Sequence, residues 1–429
     1  MSAAAVTTDT KIESTTLSRE ANDSTSSFTE EDKIYHASFL ASIERNQIQL
    51  SGSIILFIYV LHLLKIPVIT KYTSKFLYLQ NQIGTINNYP IYDIHIDDIY
   101  YVIYWVIAVT FMRSFLMKFC FSPFAKYFCN IQSRKAKTRF AEQSWSFVYY
   151  SVSLAYGCYL YWTSPYFNNM AQVFINWPNH TLYANLKMYY LISTGFWLQQ
   201  IFVLNIEQHR KDHYQMFGHH IITCCLVIGS YYYYFFRIGH LILMTMDSVD
   251  IILSAAKMLK YAKYETACDV MFILFLFGWL ITRHGIYNYL FYYIWQNLQR
   301  LMAESICDVN KIQKRCWTPG IINVFLGLLG GLQILIIIWM YFICKVAYKV
   351  LTGGAAEDVR SDEEDTEDEE EDKDFEQDDA IIESAFEDET DEVEEEEIKS
   401  VGMEGYTFSS SSDSTLDEET DQTRRRRLN

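Results

Sequence analysis

The chain has 429 residues, half of them hydrophobic and 16% aromatic, and a formal net charge of −17, yet its mean hydropathy is near zero. That average hides two populations: between residues 357 and 397, 26 Asp or Glu face only Arg360 and Lys373, a net −24 that leaves the remainder of the chain at +7. A string of soluble domains is excluded by the long apolar runs, and a disulfide framework by nine scattered cysteines, several of which (Cys158, Cys224, Cys225, Cys268) sit inside those runs.

Residues 1–50 are polar and read as a disordered arm with no cleavable signal peptide. Apolar stretches of about 20 residues, the length that crosses a hydrocarbon core, follow near 52–70, 99–119, 144–164, 187–206, 216–236, 238–258, 267–286 and 320–344. Each should be a helix, because backbone groups in lipid must be satisfied internally. The expectation is an all-α membrane protein of eight transmembrane helices with disordered termini. Residues 353–429 are acidic and Ser-rich and cannot bury enough apolar surface to fold alone. Ser361, Thr366, Ser412 and Ser414 lie in or beside acidic runs and suit an acid-directed kinase; a merely solvated charged tail explains them as well.

Orientation follows from basic connections. Lys126, Arg134, Lys135, Lys137 and Arg139, then Arg210 and Lys211, then Lys257, Lys260 and Lys263, all fall on one side of eight alternating helices. The 165–186 loop opposite them has no Lys or Arg and holds the sequon Asn179-His180-Thr181, usable only in a lumen. Both termini are therefore expected in the cytosol. Cys307 and Cys316 fall in an expected lumenal loop and are the one pair considered for a disulfide.

The chemistry-bearing stretch runs from Arg210 to Tyr261. It reads as two antiparallel helices joined by a short turn at Arg237-Ile238-Gly239, the first carrying His219-His220 and the second Asp247-Ser248-Val249-Asp250. Asp247 and Asp250 share a helical face, and the histidines should meet Asp250 in the cytosolic half of the membrane, with Asp247 one turn deeper. Ionisable groups there are costly and point to function; the plain alternative is a His–Asp hydrogen bond that only locks two helices. Arg283-His284, near the end of the seventh stretch, reads as a snorkelling interfacial pair. Ser248 and Ser254 are either site donors or small packing residues.

The order of a basic, acidic and His segment, His219-His220, an aromatic turn, Asp247-x-x-Asp250 and Ala255-Ala256-Lys257 with Tyr261 resembles the Lag motif of ceramide synthases. Phe140-Ala141-Glu142-Gln143-Ser144-Trp145 and Phe196-Trp197-Leu198-Gln199-Gln200 resemble further signatures of the TLC domain that contains it. The resemblance implies a TLC domain over 140–350 with the Lag motif at 210–261, preceded by two helices and a basic loop over 51–139 and followed by a tail from 351 to 429. It further implies a six-helix TLC-type barrel around a lipid tunnel. The extra first span, the acidic tail and the lack of a homeobox-like insert look like the fungal branch. For that branch the resemblance implies an endoplasmic reticulum membrane, very long acyl chains, assembly with a like subunit and a small single-span regulatory subunit, and no nucleic acid.

Carried over residue by residue, the catalytic set is His219, His220, Asp247 and Asp250. A sphingoid ammonium must lose a proton before it attacks an acyl-CoA thioester, which suits a His oriented by a neighbouring Asp; a His that accepts the acyl group itself is the other route. Arg210, Lys211, His213 and Lys257 could meet the phosphates of CoA, or could be ordinary positive-side anchors. No cofactor and no metal is expected beyond acyl-CoA as substrate. A metalloenzyme is disfavoured because adjacent histidines point about 100° apart on a helix. A non-enzymatic TLC-domain protein, translocon-associated or lipid-sensing, would need no such His–Asp set.

Overall fold

The computed structural model describes residues 30–206, 212–307 and 316–352, all within one compact unit, Met1–Asp365. The chain starts with a long helix α1, Glu30–Leu63. The first apolar stretch was expected to run on to Thr70, but Pro67 supplies no N–H and holds Ile66 extended, so the helix stops and Pro67 opens the short α2, Pro67–Leu77. Next come β1, Gln82–Ile86, and β2, Tyr89–Tyr92. Then α3 runs over Asp98–Leu116, continues through a π-helical turn at Met117–Phe121, and leads into α4, Ser122–Tyr127.

Helix α5, Arg134–Trp162, is capped by Ser133, whose hydroxyl accepts from the Ala136 N–H at 3.4 Å. After β3, Leu182–Tyr183, come α6, Ala184–Ile206, α7, His213–Tyr232, and α8, Phe236–Tyr261. Helix α9, Glu265–Trp279, does not end where the seventh stretch was expected to stop. A π-helical turn at Leu280–Ile286 carries it into α10, Tyr287–Leu301. Helix α11, Pro319–Leu351, closes the set, with Thr318 as N-cap and Pro319 in the first turn.

Among the described residues, five helical stretches are long and apolar enough to cross a membrane: Asn46–Leu63, Asp98–Tyr127, Phe236–Tyr261, Glu265–Leu301 and Pro319–Val350. The chain is thus a multi-pass membrane protein. Helices α5, α6 and α7, of 29, 23 and 20 residues, have the length to cross but are not in that apolar set.

Two features depart from the sequence expectation. The turn between α7 and α8 lies at 233–235, with Tyr234 at φ 61°, so Arg237 and Gly239 are already helical. Arg237 instead anchors the loop before β3 by donating to the Gln172 carbonyl at 2.6 Å. Second, the three short strands form an antiparallel sheet in the order β1-β2-β3. Its hairpin turns on Asn87 and Asn88, both at positive φ as a tight two-residue connection requires, and β3 pairs Tyr183 with Ile91.

Beside the sheet lies a largely buried charged cluster. Lys187 of α6, 0% exposed, lies 2.8 Å from Asp98 of α3 and donates to the Gln80 and Asp93 carbonyls. Tyr231 and Tyr234, at the end of α7, donate to Asp98 and Asp93 at 2.8 and 2.6 Å. These contacts tie α3 and the hairpin to α6 and α7. Asn179 lies nearby, its carboxamide donating to the Ile175 carbonyl at 3.4 Å. Cys307 and Cys316 form a disulfide, bridging the segment between α10 and α11.

Candidate active site

At the opposite end of the bundle a cavity of about 350 Å³ opens between the helices, lined from α3, α5, α6, α7, α8, α9 and α11. Its mouth carries Arg113, Glu142, Asp212, His213, Lys257 and Lys260; its inner wall carries Trp197, His219, His220, Asp250 and Arg283. A second cavity of about 80 Å³ begins on the same wall, at Trp197, His219, Asp250 and Arg283, and runs between apolar side chains of α7, α8, α10 and α11. His219 therefore stands where a polar-mouthed chamber meets an apolar one.

Both imidazoles pack against aromatic walls, and His220 is also held by its own helix. The His220 Nδ1–H donates to the Met216 carbonyl at 2.6 Å, which leaves Nε2 as the proton-accepting nitrogen of the neutral ring. His219 packs against Trp197 and Trp339, with ring centroids 5.6 and 5.2 Å away, and its Nδ1 is buried without a hydrogen-bond partner among the described residues. A buried polar atom with no partner is uncommon and expensive; here it belongs to a residue that lines both cavities, although the atom itself is buried within the wall. The indole N–H groups of Trp145, Trp279 and Trp339 are in the same position, and all three line the larger cavity.

The aspartates divide. Both Asp250 oxygens lie 3.0 Å from Nη2 of Arg283, which also donates to the Met246 carbonyl at 2.9 Å, while the guanidinium lies 5.1 Å from the Trp279 ring centroid. Asp247, 4% exposed, turns instead toward α5 and accepts from the Ser153 hydroxyl at 2.6 Å; it lines neither cavity. Among the described residues neither imidazole is hydrogen-bonded to an aspartate, so the Asp-oriented His of the sequence reading is corrected. A carbonyl four residues back on the same helix lies closer to His220 than any carboxylate across the cavity.

Arg283 is the larger correction. It is no snorkelling interfacial residue but 4% exposed, because the helix continues past it and the π-helical turn at Leu280–Ile286 presents it inward. A positive charge between two buried carboxylate-bearing turns is what allows Asp250 to stay in an apolar bundle. Arg113 was also passed over, although an arginine inside an apolar stretch is itself a signal. His213 and Lys257 do line the cavity mouth, as does Ser254, whereas the Ser248 hydroxyl folds back on the Thr245 carbonyl. Arg210, Lys211, Ser361, Thr366, Ser412 and Ser414 lie outside the described residues. Among the described residues no three His, Cys, Asp or Glu side chains gather as a metal ligand set.

Residues 139–345 match the TLC domain. The chain is 38% identical over 267 residues to sphingosine N-acyltransferase lag1 of Schizosaccharomyces pombe, covering 62% of this chain and 68% of that one. It is 34% identical over 324 residues to the ceramide synthase FUM18 of Gibberella moniliformis, covering 70% and 75%. The chain belongs to the sphingosine N-acyltransferase family. A third relative, the sphingosine N-acyltransferase-like protein ALT7 of Alternaria alternata, is 34% identical over 295 residues, 63% of this chain and 68% of its own. In this chain the TLC match begins after α3, so Arg113 is contributed to the cavity from outside that domain.

Proposed function

We propose that this chain is a ceramide synthase that moves a fatty acyl group from acyl-CoA to the amine of a sphingoid base, with His219 at the reaction centre. The observation that carries the reading is the position of His219 on the wall shared by a cavity with a charged mouth and a narrow apolar one. CoA is polyanionic, and Arg113, Lys257, Lys260 and His213 at the mouth, with Arg210 and Lys211 before α7, suit its phosphates. The apolar cavity suits the acyl chain, and the thioester carbonyl then sits beside the imidazoles.

The amine nitrogen bonds to the carbonyl carbon, its proton passes to an imidazole, and the carbon–sulfur bond breaks to release CoA as the thiol. His219 acts as general base in direct attack, or takes the acyl group on its nitrogen and passes it to the amine; both routes use the same geometry. Asp250, paired to Arg283, holds negative charge beside the imidazoles as they gain a proton, and Asp247 supports the same helix from behind through Ser153. No cofactor is required.

The finer architecture follows the same reading: eight spans, the last six forming a barrel around the two cavities, and both termini cytosolic in the endoplasmic reticulum membrane. The site then faces the cytosolic acyl-CoA supply and Asn179 faces the lumen for glycosylation. A like subunit and a small single-span subunit are the proposed partners, and Ser361, Thr366, Ser412 and Ser414 the proposed phosphorylation sites. Microsomes carrying the protein should form ceramide from acyl-CoA and dihydrosphingosine or phytosphingosine, unaffected by a metal chelator. Failure to form ceramide from either base, with the protein abundant in the membrane, would refute the assignment.

A further inference from the structure

Helices α5 and α8 lie side by side, α5 running inward past Glu142 at the cavity mouth and α8 running outward to Lys257 at the same mouth. The Ser153–Asp247 hydrogen bond, 2.6 Å, fixes their register. Counting turns from it toward the mouth puts Tyr150 level with Asp250, Ser146 with Ser254 and Gln143 with Lys257, and all of these line the larger cavity. Tyr150 is thus the residue of α5 at the depth of the Asp250–Arg283 pair, and Asp250, Asp247 and Arg283 are the charged groups that act on its hydroxyl. Its ring is held edge-on by Tyr149 and Phe196, with centroids 5.6 and 5.9 Å away. The hydroxyl makes no hydrogen bond among the described residues, and unlike that of Tyr189 it is not sealed inside the wall. The phenols of Tyr231, Tyr234 and Tyr287 each donate to a carboxylate or a carbonyl, as a phenol removed from water ordinarily does.

We propose that Tyr150 is a specificity-determining residue for the amine substrate, its hydroxyl bonding a hydroxyl on a carbon next to the amine. The inference rests on the reading of the larger cavity as the place where the base and the thioester meet. A sphingoid base differs from a plain long-chain amine by the hydroxyl-bearing carbons on either side of the amine carbon. Recognising that difference takes a neutral group able both to donate and to accept, close to the reacting groups. The other candidates at this depth are committed. Asp250 gives both oxygens to Arg283, Ser153 donates to Asp247, and the His220 Nδ1–H donates to Met216. The Tyr150 phenol is the group on this wall left for a substrate hydroxyl. A site group stranded without its partner penalises an analogue that lacks the matching hydroxyl, so this residue favours the aminodiol over the bare amine.

The test uses the full chain, with its partner subunits, in microsomes lacking other ceramide-forming activity. Dihydrosphingosine and its 1-deoxy and 3-deoxy analogues are compared by kcat/KM with one saturating acyl-CoA. The wild type should favour dihydrosphingosine over at least one analogue by about tenfold or more. Tyr150→Phe, which removes only the hydroxyl, should bring that ratio close to one, with KM for acyl-CoA unchanged. Each ratio is read within one preparation, so lost abundance cancels. Tyr149→Phe, on a neighbouring phenol that lines neither cavity, should keep the wild-type ratio. A wild type without preference overturns the inference, as does a preference that Tyr150→Phe leaves intact or that Tyr149→Phe erases as well. Loss of turnover on all three bases, equal or complete, makes Tyr150 a positioning residue for Asp250 and overturns it too. In each of these cases the ceramide synthase reading stands. If Tyr150→Phe is lost from the membrane, Tyr150→Leu and the wild-type ratio still decide. Absence of N-acyl product from all three bases in the wild type overturns the ceramide synthase reading, and this inference with it.

Discussion

The bundle buries charge at both ends, and the two ends treat it differently. Under the hairpin, Lys187, Asp98, Asp93, Tyr231 and Tyr234 answer one another across four segments of chain, and Lys187, Asp98 and Asp93 line neither cavity. At the His219 end the charges are paired only in part: Arg283 meets Asp250, while an imidazole nitrogen and three indole N–H groups, on residues that line the cavities, have no hydrogen-bond partner among the described residues. A closed network fixes helices; an open one leaves donors and acceptors for a substrate. Burial of ionisable groups is common to both, so burial alone does not mark a reactive centre.

The comparison breaks first at His219. Replacing it with Ala should lower ceramide formation by about 10²–10⁴, the usual contribution of a general base, while abundance and melting in detergent stay as in the wild type. Comparable activity in the variant would make the His219 end a second structural lock. Lys187→Met should do the reverse. Stranding Asp98 without its cation should cost about 3–5 kcal/mol of stability, read as lost abundance, and a Lys187→Met, Asp98→Asn double variant should recover much of it. Arg283 belongs to both classes. Arg283→Met should reduce abundance by stranding Asp250, and Arg283→Met with Asp250→Asn should restore abundance without restoring turnover. If the double variant is active, the ion pair is scaffold only.

Much of this was legible because ionisable residues inside apolar runs are conspicuous. His219, His220, Asp247 and Asp250 stand out for that reason, and the helices that carry them lie close to where the apolar stretches put them. Arg283 has the same property but sits near the end of a twenty-residue stretch, where an interfacial reading comes naturally. Only the continuation of α9 into α10 through a π-helical turn moves it to mid-helix, and backbone geometry of that kind leaves no composition signal. The turn at 233–235 has neither Gly nor Pro to mark it, whereas Gly239 looks like a turn and is a point of close approach by Tyr190. The strands were missed because two to five residues give too little alternation. The split between Asp247 and Asp250 depends on Ser153, 94 residues away, a partner that no local pattern names.

Ser153 gives a smaller and sharper test of that split. Removing its hydroxyl leaves the Asp247 carboxylate without its recorded donor, a loss on the order of 1 kcal/mol for one hydrogen bond and somewhat more for a charged acceptor. Ser153→Ala should therefore lower turnover by about fivefold through the position of α8, with little change in KM for acyl-CoA. Ser153→Thr, which keeps the hydroxyl, should recover most of it. A change in KM alone would place Asp247 in substrate binding, against its absence from both cavity walls.

The mildest expectation concerns pH at the hairpin end. Burial pushes the Asp93 carboxyl upward, but hydrogen bonds from Tyr234 and the Ile94 N–H, with His180 alongside, outweigh it and hold the group below its ordinary value of 3.8. A depressed carboxylate pKa stabilises the fold above the unfolded value, and that contribution fades as pH falls through the lower, folded value. The difference in melting temperature between the wild type and Asp93→Asn should thus stay constant from neutral pH down to about pH 4 and shrink only below it. A difference that already shrinks between pH 7 and pH 5 would show that the cluster's contribution does not come from the lowered Asp93 carboxyl. The closed cluster would then hold a switch in place of a fixed lock.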